Sequence, residues 1–304
     1  MLWRRAQTYR RDVAQLKRGW PDTPPLIQNE RLLVIAPHPD DEVLATGALL
    51  HNARQQNCEV RVIFLTNGDG SGSAYLAQHA REGRRPSFQQ LAQTRQNEAR
   101  AALRELGVEP QNVIFLGYPD GGLGEMSREN FNDDTPYFSK WTGGVEVPYS
   151  NALSVGANYA GVNVVRDLVQ ACEEFAPTRV YTTDENDTHA DHVAAFDFTQ
   201  RALQQWHQLS FNETSSTRSE APPRFFTTLI HHHIWPVPHG LHLGSPLCSP
   251  AVLSHLEWTH FSVDDETLKA KQRALSCYKS QLVWTPFYLR SFLRRTELFR
   301  EIEI

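Results

Sequence analysis

Strand-like and helical patterns alternate along this chain from residue 31 onwards, and this alternation limits the possible folds more than any other feature. The pattern at 161–175 is the clearest, because its apolar residues recur at the spacing of one helix face. Strands separated by helices form βαβ units, whose right-handed crossovers place helices on both faces of a sheet. We therefore predict an α/β fold with a doubly wound, mostly parallel sheet and Rossmann-like topology. The strand-like runs are 32–36, 59–66, 112–117 and 178–183, and the helical patterns are 42–55, 88–106 and 161–175.

The length of 304 residues suits one large α/β domain or a domain with an appendage. We expect the domain to cover 29–304, since the chain has no internal repeat and no low-complexity tract. The segment 118–160 is rich in Gly, Pro, Asp, Asn and aromatic residues, which predicts a rim or lid over a site. Residues 225–235 predict a further strand. A C-terminal helical part is expected from a helical pattern at 265–281 and an amphipathic piece at 286–299.

The first 28 residues predict a basic amphipathic helix. Apolar side chains recur at helical spacing from Trp3 to Trp20, with arginines and lysines between them, and Pro21 breaks the pattern. We expect this helix to pack against the main domain. Contact with a membrane surface is the less favoured alternative, because basic amphipathic helices also bind anionic lipids.

The composition argues against several other classes of protein. A net charge of −5 and a pI near 6.2 argue against bulk binding to nucleic acid. The apolar runs fall far short of the roughly 18 residues that span a bilayer. No apolar secretory signal stands at the start, and the four cysteines form no CxxC pair. We therefore expect a soluble, cytoplasmic protein, and the sequence does not indicate its oligomeric state.

Two dense clusters of histidine and carboxylate residues follow strand-like runs. The first spans 38–42 and is His-Pro-Asp-Asp-Glu, while the second spans 189–192 and is His-Ala-Asp-His. Open α/β sheets bind ligands just beyond the carboxyl ends of their strands. The two clusters therefore predict one metal site assembled from distant parts of the chain.

The ligand set follows from the needs of a catalytic zinc ion, which takes about three protein ligands and keeps one position open. His38 and Asp41 lie three residues apart, so a single turn aims both at one point, and His192 supplies a distant third. Such a set also suits Fe(II), so zinc, iron or another divalent ion fits. A metal site of this kind polarises a carbonyl oxygen and lowers the pKa of bound water to about 7. Amide hydrolysis then needs a base and an acid.

Taken together, the two clusters resemble the motifs of the PIG-L/LmbE-like family of zinc-dependent N-deacetylases. The resemblance covers roughly residues 30–300 and includes Thr66-Asn67-Gly68 after the second strand and 116–120 after the third. It extends to a C-terminal helical segment that carries Lys271, Ala274, Tyr278, Ser280 and Gln281. The resemblance implies the family fold and a hydrolytic zinc site.

The resemblance also implies a role for each residue of the clusters. Asp40 matches the general base that activates water, and His189 matches the residue that stabilises the oxyanion or protonates the leaving amine. Asp191 is placed to hold His189 in one tautomer. The implied metal ligands are His38, Asp41 and His192.

Three more charged residues leave alternatives open. Arg95 either pairs with Glu98 on its own helix or, by the resemblance, binds a substrate hydroxyl or phosphate. Asp120 binds a sugar hydroxyl or caps a turn, and we favour the first. Glu42 begins a helix, where a carboxylate stabilises the positive end of the helix dipole, so we expect a structural role.

Two further tracts invite a functional interpretation that their residues support only weakly. The glycine-rich tract 67–73 lacks the lysine of a P-loop, so we predict a flexible loop at the rim of the site. Residues 231–233 are three histidines in a strand-like run, where neighbours face opposite ways. They cannot all join one metal site, and we predict a strand with one histidine near the pocket.

The expected activity is hydrolysis of an N-acetyl group from an amino-sugar conjugate of the N-acetylglucosaminyl type, which releases acetate and a free amine. Family substrates carry such a sugar on inositol, lipid, malate or another sugar. One alternative is a metallohydrolase of another N-acyl amide. A non-catalytic sugar-binding relative is a second, but the presence of Asp40 and of every ligand argues for an enzyme.

Overall fold

The computed structural model describes residues 20–83, 85–212, 222–283 and 285–304. Most of the predicted N-terminal helix, residues 1–19, lies outside the described residues. Its described remainder, residues 20–28, is not helical, so the predicted helix does not extend to residue 28. There the Thr23 N–H donates to the His260 carbonyl at 2.8 Å, and the His260 N–H donates to the Pro21 carbonyl at 3.0 Å. These residues therefore cover an otherwise unpaired strand edge.

A seven-stranded sheet forms the centre of the described chain, in the order β3-β2-β1-β4-β5-β7-β6. Strands β1 to β5 are parallel, and β7 pairs antiparallel with both β5 and β6. The doubly wound, mostly parallel sheet with Rossmann-like order is confirmed. The strands are β1 (Arg31–Ala36), β2 (Glu59–Thr66), β3 (Val113–Tyr118), β4 (Arg179–Thr183), β5 (Arg224–Thr228), β6 (Trp258–Ser262) and β7 (Thr296–Ile302).

Helices cover both faces of this sheet. They are α1 (Asp41–Gln55), α2 (Gly72–Glu82), α3 (Phe88–Glu105), α4 (Leu123–Met126), α5 (Gly161–Phe175), α6 (Ala190–Asn212), α7 (Asp265–Leu275), α8 (Lys279–Leu282) and α9 (Pro286–Arg290), with short 3₁₀ helices at Pro110–Asn112 and Ala251–Leu253. None of the helices in the described part of the chain is long and apolar enough to span a membrane.

Two hydrophobic cores lie on opposite faces of the sheet. Val34 of β1 belongs to the core that includes side chains of α1, α3 and α7, while its neighbour Ile35 belongs to the core with α5 and α6. Successive strand residues point to opposite faces, so a strand that is buried on both faces needs an unbroken apolar run. This requirement explains the run 32–36.

The C-terminal part differs from the sequence prediction. The strand predicted at 225–235 ends at Thr228, and the piece at 286–299 divides into α9 and the start of β7. The helix predicted at 265–281 is broken after Leu275, and β6 was not predicted at all. Strands β6 and β7 depend on antiparallel partners that are distant in sequence, so tertiary pairing overrides the local pattern.

The sheet order places the two sequence clusters side by side. Strands β1 and β4 are neighbours at its centre, and the order of the strands reverses between them. Residues 38–42 follow β1, and residues 189–192 follow β4. The clusters therefore meet at the topological switch point, where doubly wound sheets bind ligands.

Candidate metal centre and active site

The three predicted metal ligands converge on one carboxylate oxygen. Asp41 Oδ2 accepts the backbone N–H of His38 at 3.0 Å and lies 3.1 Å from His38 Nδ1. The same oxygen lies 3.2 Å from His192 Nε2. All three side chains are buried, so nitrogen and oxygen donors are concentrated away from bulk water.

Asp187 orients His192 for metal binding, and sequence reasoning missed it. Its Oδ2 lies 3.1 Å from His192 Nδ1 and accepts the backbone N–H groups of Ile230 and His231. Because this carboxylate oxygen can only accept, the Nδ1 atom of His192 carries the proton that it donates to Asp187. The lone pair of His192 Nε2 then faces Asp41. The sequence signal that could have revealed Asp187 is a carboxylate five residues before a ligand histidine.

The donor set fits a divalent metal ion. His192 Nε2 is fully buried and has no hydrogen-bond partner within the described parts of the chain, although it faces a carboxylate. A buried polar atom without a hydrogen bond is costly unless it binds something else. Three overlapping groups of side chains bring ligand atoms within 4.8 Å of one another: His38, His189 and His192; Asp41, His192 and His231; and His38, Asp120 and Asp191.

Asp40, the predicted general base, is held in an unusual backbone conformation at the start of α1. Its φ of 127° lies in a region that non-glycine residues rarely adopt. The Asp40 N–H donates to Glu42 Oε2 at 3.0 Å, and the Tyr278 hydroxyl donates to the other Glu42 oxygen. The structural role predicted for Glu42 therefore takes a specific form, because its carboxylate holds the backbone of Asp40.

Burial changes the proton affinity of both carboxylates in this turn. It raises the pKa of Asp40 to about 7, although the nearby Arg95 guanidinium opposes the shift. Burial likewise raises the pKa of Glu42 to about 8, against the hydrogen bond from Tyr278. A carboxylate with a pKa near neutrality is suited to accept and release a proton.

Arg95 contacts the predicted base and not Glu98. Its Nη2 donates to Asp40 Oδ1 at 3.2 Å and also to the carbonyl of Pro39, while Glu98 accepts hydrogen bonds from Ser280. The pairing of Arg95 with Glu98 is therefore wrong, because Arg95 is buried and turns towards the loop after β1. Arg95 also lines the cavity described below.

The expected role of Asp191 is corrected by the structure. Its carboxylate does not hold the His189 ring but lies 3.0 Å from His38 Nε2. It also accepts the N–H groups of Gly121 and Leu123 at the start of α4, at 2.7 and 3.0 Å. Residues 190–192 begin α6, which directs the Asp191 side chain towards His38. Asp191 thus orients a predicted ligand, and leaves His38 Nδ1 facing Asp41.

His189 obtains its tautomer from the backbone. The Asp191 N–H donates to His189 Nδ1 at 3.3 Å, so the proton of the neutral ring resides on Nε2. The ring centroid lies 5.0 Å from that of His38 and 4.8 Å from that of His192. Burial lowers the pKa of His189, and the charges of these two histidines lower it further.

Asp120 joins the same constellation and is not a simple turn cap. Its Oδ1 lies 3.4 Å from His38 Nε2, and its Oδ2 accepts the Gly70 N–H at 3.0 Å. Burial opposes its ionisation, but the charge and hydrogen bond of His38 hold the pKa of Asp120 below its usual range. The glycine-rich tract expected to be a loop thus reaches the site through Gly70 and then enters α2.

A cavity of about 290 Å³ opens onto these residues. It has room for a small ligand, and it combines charged with apolar lining, as binding sites commonly do. His231 is the one histidine of 231–233 at this cavity, where its ring stacks on Tyr288 at 5.4 Å. It follows β5 in a loop and does not belong to a strand. The side chains that line the cavity include Asp40, Asp41, Arg95, Asp120, His189 and His231.

A doubly wound sheet with a buried His/Asp site at its switch point is a framework for metal-assisted hydrolysis. The family model described as PIG-L, GlcNAc-PI de-N-acetylase, matches residues 33–203, more than half of the chain. The chain belongs to this family, and the resemblance inferred from the two motifs is confirmed.

One relative is similar to the chain in sequence, and one solved structure is similar to it in fold. The chain is 28% identical over 273 residues to the 1D-myo-inositol 2-acetamido-2-deoxy-alpha-D-glucopyranoside deacetylase of Rhodococcus erythropolis, covering 84% of this chain and 83% of the relative. The N,N'-diacetylchitobiose deacetylase of Pyrococcus horikoshii superposes with a TM-score of 0.53 at 18% identity, covering 90% of this chain and 84% of that one.

The fold alone does not select the reaction. The 4-carboxy-2-hydroxymuconate hydratase GalB of Pseudomonas putida superposes with a TM-score of 0.55 at 17% identity, covering 86% of this chain and 83% of the hydratase. Because one fold hosts several chemistries, the reaction has to be argued from the side chains of the site.

Proposed function

We propose that this protein is a metal-dependent N-deacetylase that removes the acetyl group from an N-acetylglucosaminyl-type conjugate. The observation that carries the proposal is the buried Nε2 of His192, which lacks a hydrogen bond in the described structure and lies 3.2 Å from Asp41 Oδ2, behind a cavity lined by Asp40, Asp41 and His189. Membership of the de-N-acetylase family and the inositol-linked substrate of the Rhodococcus relative support it.

His38, Asp41 and His192 would hold the ion, and zinc is the proposed resident metal. Two histidines and one carboxylate are a usual catalytic zinc set, with Asp187 and Asp191 orienting the two rings. When bound, a divalent ion supplies polarisation of the amide carbonyl and a lower pKa for coordinated water. These hydrogen bonds fix the orientations of both rings towards Asp41.

Asp40 is the proposed general base. It lines the cavity, its neighbour Asp41 is a proposed ligand, and its pKa of about 7 lets it accept a proton from the attacking water. Arg95 fixes one of its oxygens, while Glu42 fixes its backbone. The other carboxylate oxygen is the one available to water.

His189 is the proposed donor to the developing oxyanion or to the leaving amine. Its Nδ1 accepts a backbone N–H, so the Nε2–H is available for donation. A neutral ring with a lowered pKa donates a hydrogen bond without carrying a fixed charge. Asp120 and Arg95 are the proposed contacts to the sugar hydroxyls, because both line the same cavity.

Acetate release from N-acetylated sugars tests this function. We expect the zinc-loaded protein to release acetate and free amine in equal amounts, and the metal-stripped protein to be inactive until zinc returns. The Asp40→Asn variant, loaded with the same metal, is the matched control and should be nearly inactive. Absence of release from every N-acetylglucosaminyl conjugate by metal-replete wild type would contradict the proposal.

A further inference from the structure

A tight turn beside the cavity presents an exposed tryptophan. Within the segment 118–160, the Ser139 N–H donates to the Gly144 carbonyl at 3.0 Å and the Gly143 N–H donates back to Ser139 at 2.8 Å. Ser139 itself is buried, which fixes the base of the turn. Trp141 lies at its tip with 43% of its surface exposed, a high fraction for the largest apolar side chain.

The edge of the Trp141 indole lies against the wall of the cavity. A Cβ placed on Gly70 would lie 2.6 Å from Trp141 Nε1, so only glycine lets the ring approach this closely. Gly70 lines the cavity, and its N–H binds Asp120, the carboxylate proposed to hold a sugar hydroxyl. Trp141 therefore packs against Gly70, the residue whose N–H binds the proposed sugar-binding carboxylate.

We propose that Trp141 forms a binding subsite for a second, uncharged polyol ring, a sugar or a cyclitol, attached to the N-acetylated sugar. This inference rests on the proposed function and names the class of its substrate. The C–H face of such a ring packs on an indole, while its hydroxyls need polar partners. The Lys140 ammonium lies over one face of the Trp141 ring, 4.7 Å from its centre, so the second ring would pack on the opposite face with this donor nearby.

The charges around Trp141 favour a polyol over an alkyl chain as the occupant. An alkyl chain placed here would bury Lys140 without giving it a hydrogen bond, which is unfavourable. Apolar side chains line the cavity elsewhere, at Leu44 of α1 and Leu289 of α9. An alkyl substituent would gain more by lying on α9 than on Trp141.

The test compares three substrates on the zinc-loaded, full-length protein: methyl N-acetylglucosaminide, N,N'-diacetylchitobiose and octyl N-acetylglucosaminide. Trp141→Ala should raise KM for the two-ring substrate by about fivefold, the size expected from one lost ring contact, with little change in kcat. KM for the other two substrates should stay within about twofold. Trp141→Phe should recover most of the loss. Phe138→Ala, on the same segment and 61% exposed, is the matched control for removal of an exposed aromatic.

Each outcome has a distinct meaning. No turnover of any substrate by the wild type would contradict the proposed function itself. Turnover with unchanged KM for the two-ring substrate in Trp141→Ala would contradict only the subsite. An equal rise in KM for the octyl substrate would mean that Trp141 is a general apolar lip, and would also overturn the proposal for a polyol ring.

Discussion

Glu42 accepts the backbone N–H of Asp40 at 3.0 Å, so the second carboxylate of the turn fixes the main chain of the first. Asp40 has a φ of 127°, a conformation that costs on the order of 1–3 kcal/mol and persists only when its surroundings determine it. The Tyr278 hydroxyl binds the other oxygen of Glu42. Tyr278, from the C-terminal part of the chain, thereby helps to fix the direction of the Asp40 side chain.

Replacing Glu42 with glutamine should lower kcat by about tenfold or more while KM changes little. At a pH above about 8, where Glu42 is ionised, both of its oxygens accept, whereas a glutamine amide has one acceptor oxygen and cannot take the hydrogen bonds of Asp40 and Tyr278 at once. The resulting small displacement of a catalytic group is costly. Steady-state kinetics with metal content measured in the same sample checks this. Tyr278→Phe should show a smaller loss of the same kind. A Glu42→Gln protein with normal kcat would show that the contact serves folding alone.

Asp187→Asn and Asp191→Asn should each weaken metal binding by about 10- to 100-fold, because each carboxylate orients a proposed ligand histidine. Competition with a chelator measures the affinity. His79→Ala, which removes an exposed histidine on α2, controls for general loss of imidazole. Unchanged affinity in Asp191→Asn, with lower kcat, would return Asp191 to the role first expected, that of orienting His189.

The centre of this fold could be predicted from sequence because its determinants are local. The run 32–36 is apolar at every position since β1 is buried on both faces, and the motif at 38–42 follows directly where parallel strands place ligands. Both features are read within a dozen residues. Their meeting with residues 189–192 follows from the rule that parallel strands end at the same edge.

The contacts within the site could not be predicted in the same way, because they depend on side-chain direction. Asp191 precedes His192 and lies near His189 in sequence, yet α6 turns its carboxylate towards His38, more than 150 residues away. The hydrogen bond of Glu42 to Tyr278 joins residues 236 apart. Strand β7 likewise forms because β5 and β6 pair with it. The amphipathic spacing of its residues alone does not show which strands it will pair with.

Asp40→Asn should keep its metal and lose about 10²- to 10⁴-fold in kcat, the usual contribution of a general base. The amide preserves the shape of the side chain and an oxygen for Arg95, but it cannot accept a proton from water. Metal analysis and acetate release in one preparation separate the two effects. Near-normal turnover in the metal-replete variant would transfer the role of base to another residue.

His189→Ala should retain metal and lower kcat more than it raises KM, because donation from Nε2 strengthens only as charge develops in the transition state. His189 also lies close enough to His38 and His192 to be a ligand. Metal analysis therefore decides between the two roles. Depletion of metal in His189→Ala, with full occupancy in His192→Ala, would exchange the assignments of the two histidines.

The buried pair of Lys271 and Glu297 should be essential for stability, because it is part of the main-chain hydrogen bonding of α1. Glu297 accepts the N–H groups of Ala48 and Leu49, and Lys271 Nζ donates to the Leu44 carbonyl and, at 2.6 Å, to Glu297. Lys271→Met leaves a buried carboxylate unpaired and should lower the free energy of unfolding by about 3–5 kcal/mol.

Two comparison variants make this stability prediction specific. Arg224→Met, which breaks an exposed pair with Glu301, should cost less than about 1 kcal/mol. The double variant Lys271→Met/Glu297→Leu removes both charges, so α1 can close its own hydrogen bonds and much of the stability should return. Urea unfolding measures all three proteins. A double variant no more stable than Lys271→Met alone would show that α1 depends on the carboxylate of Glu297 and not on neutralisation of its charge.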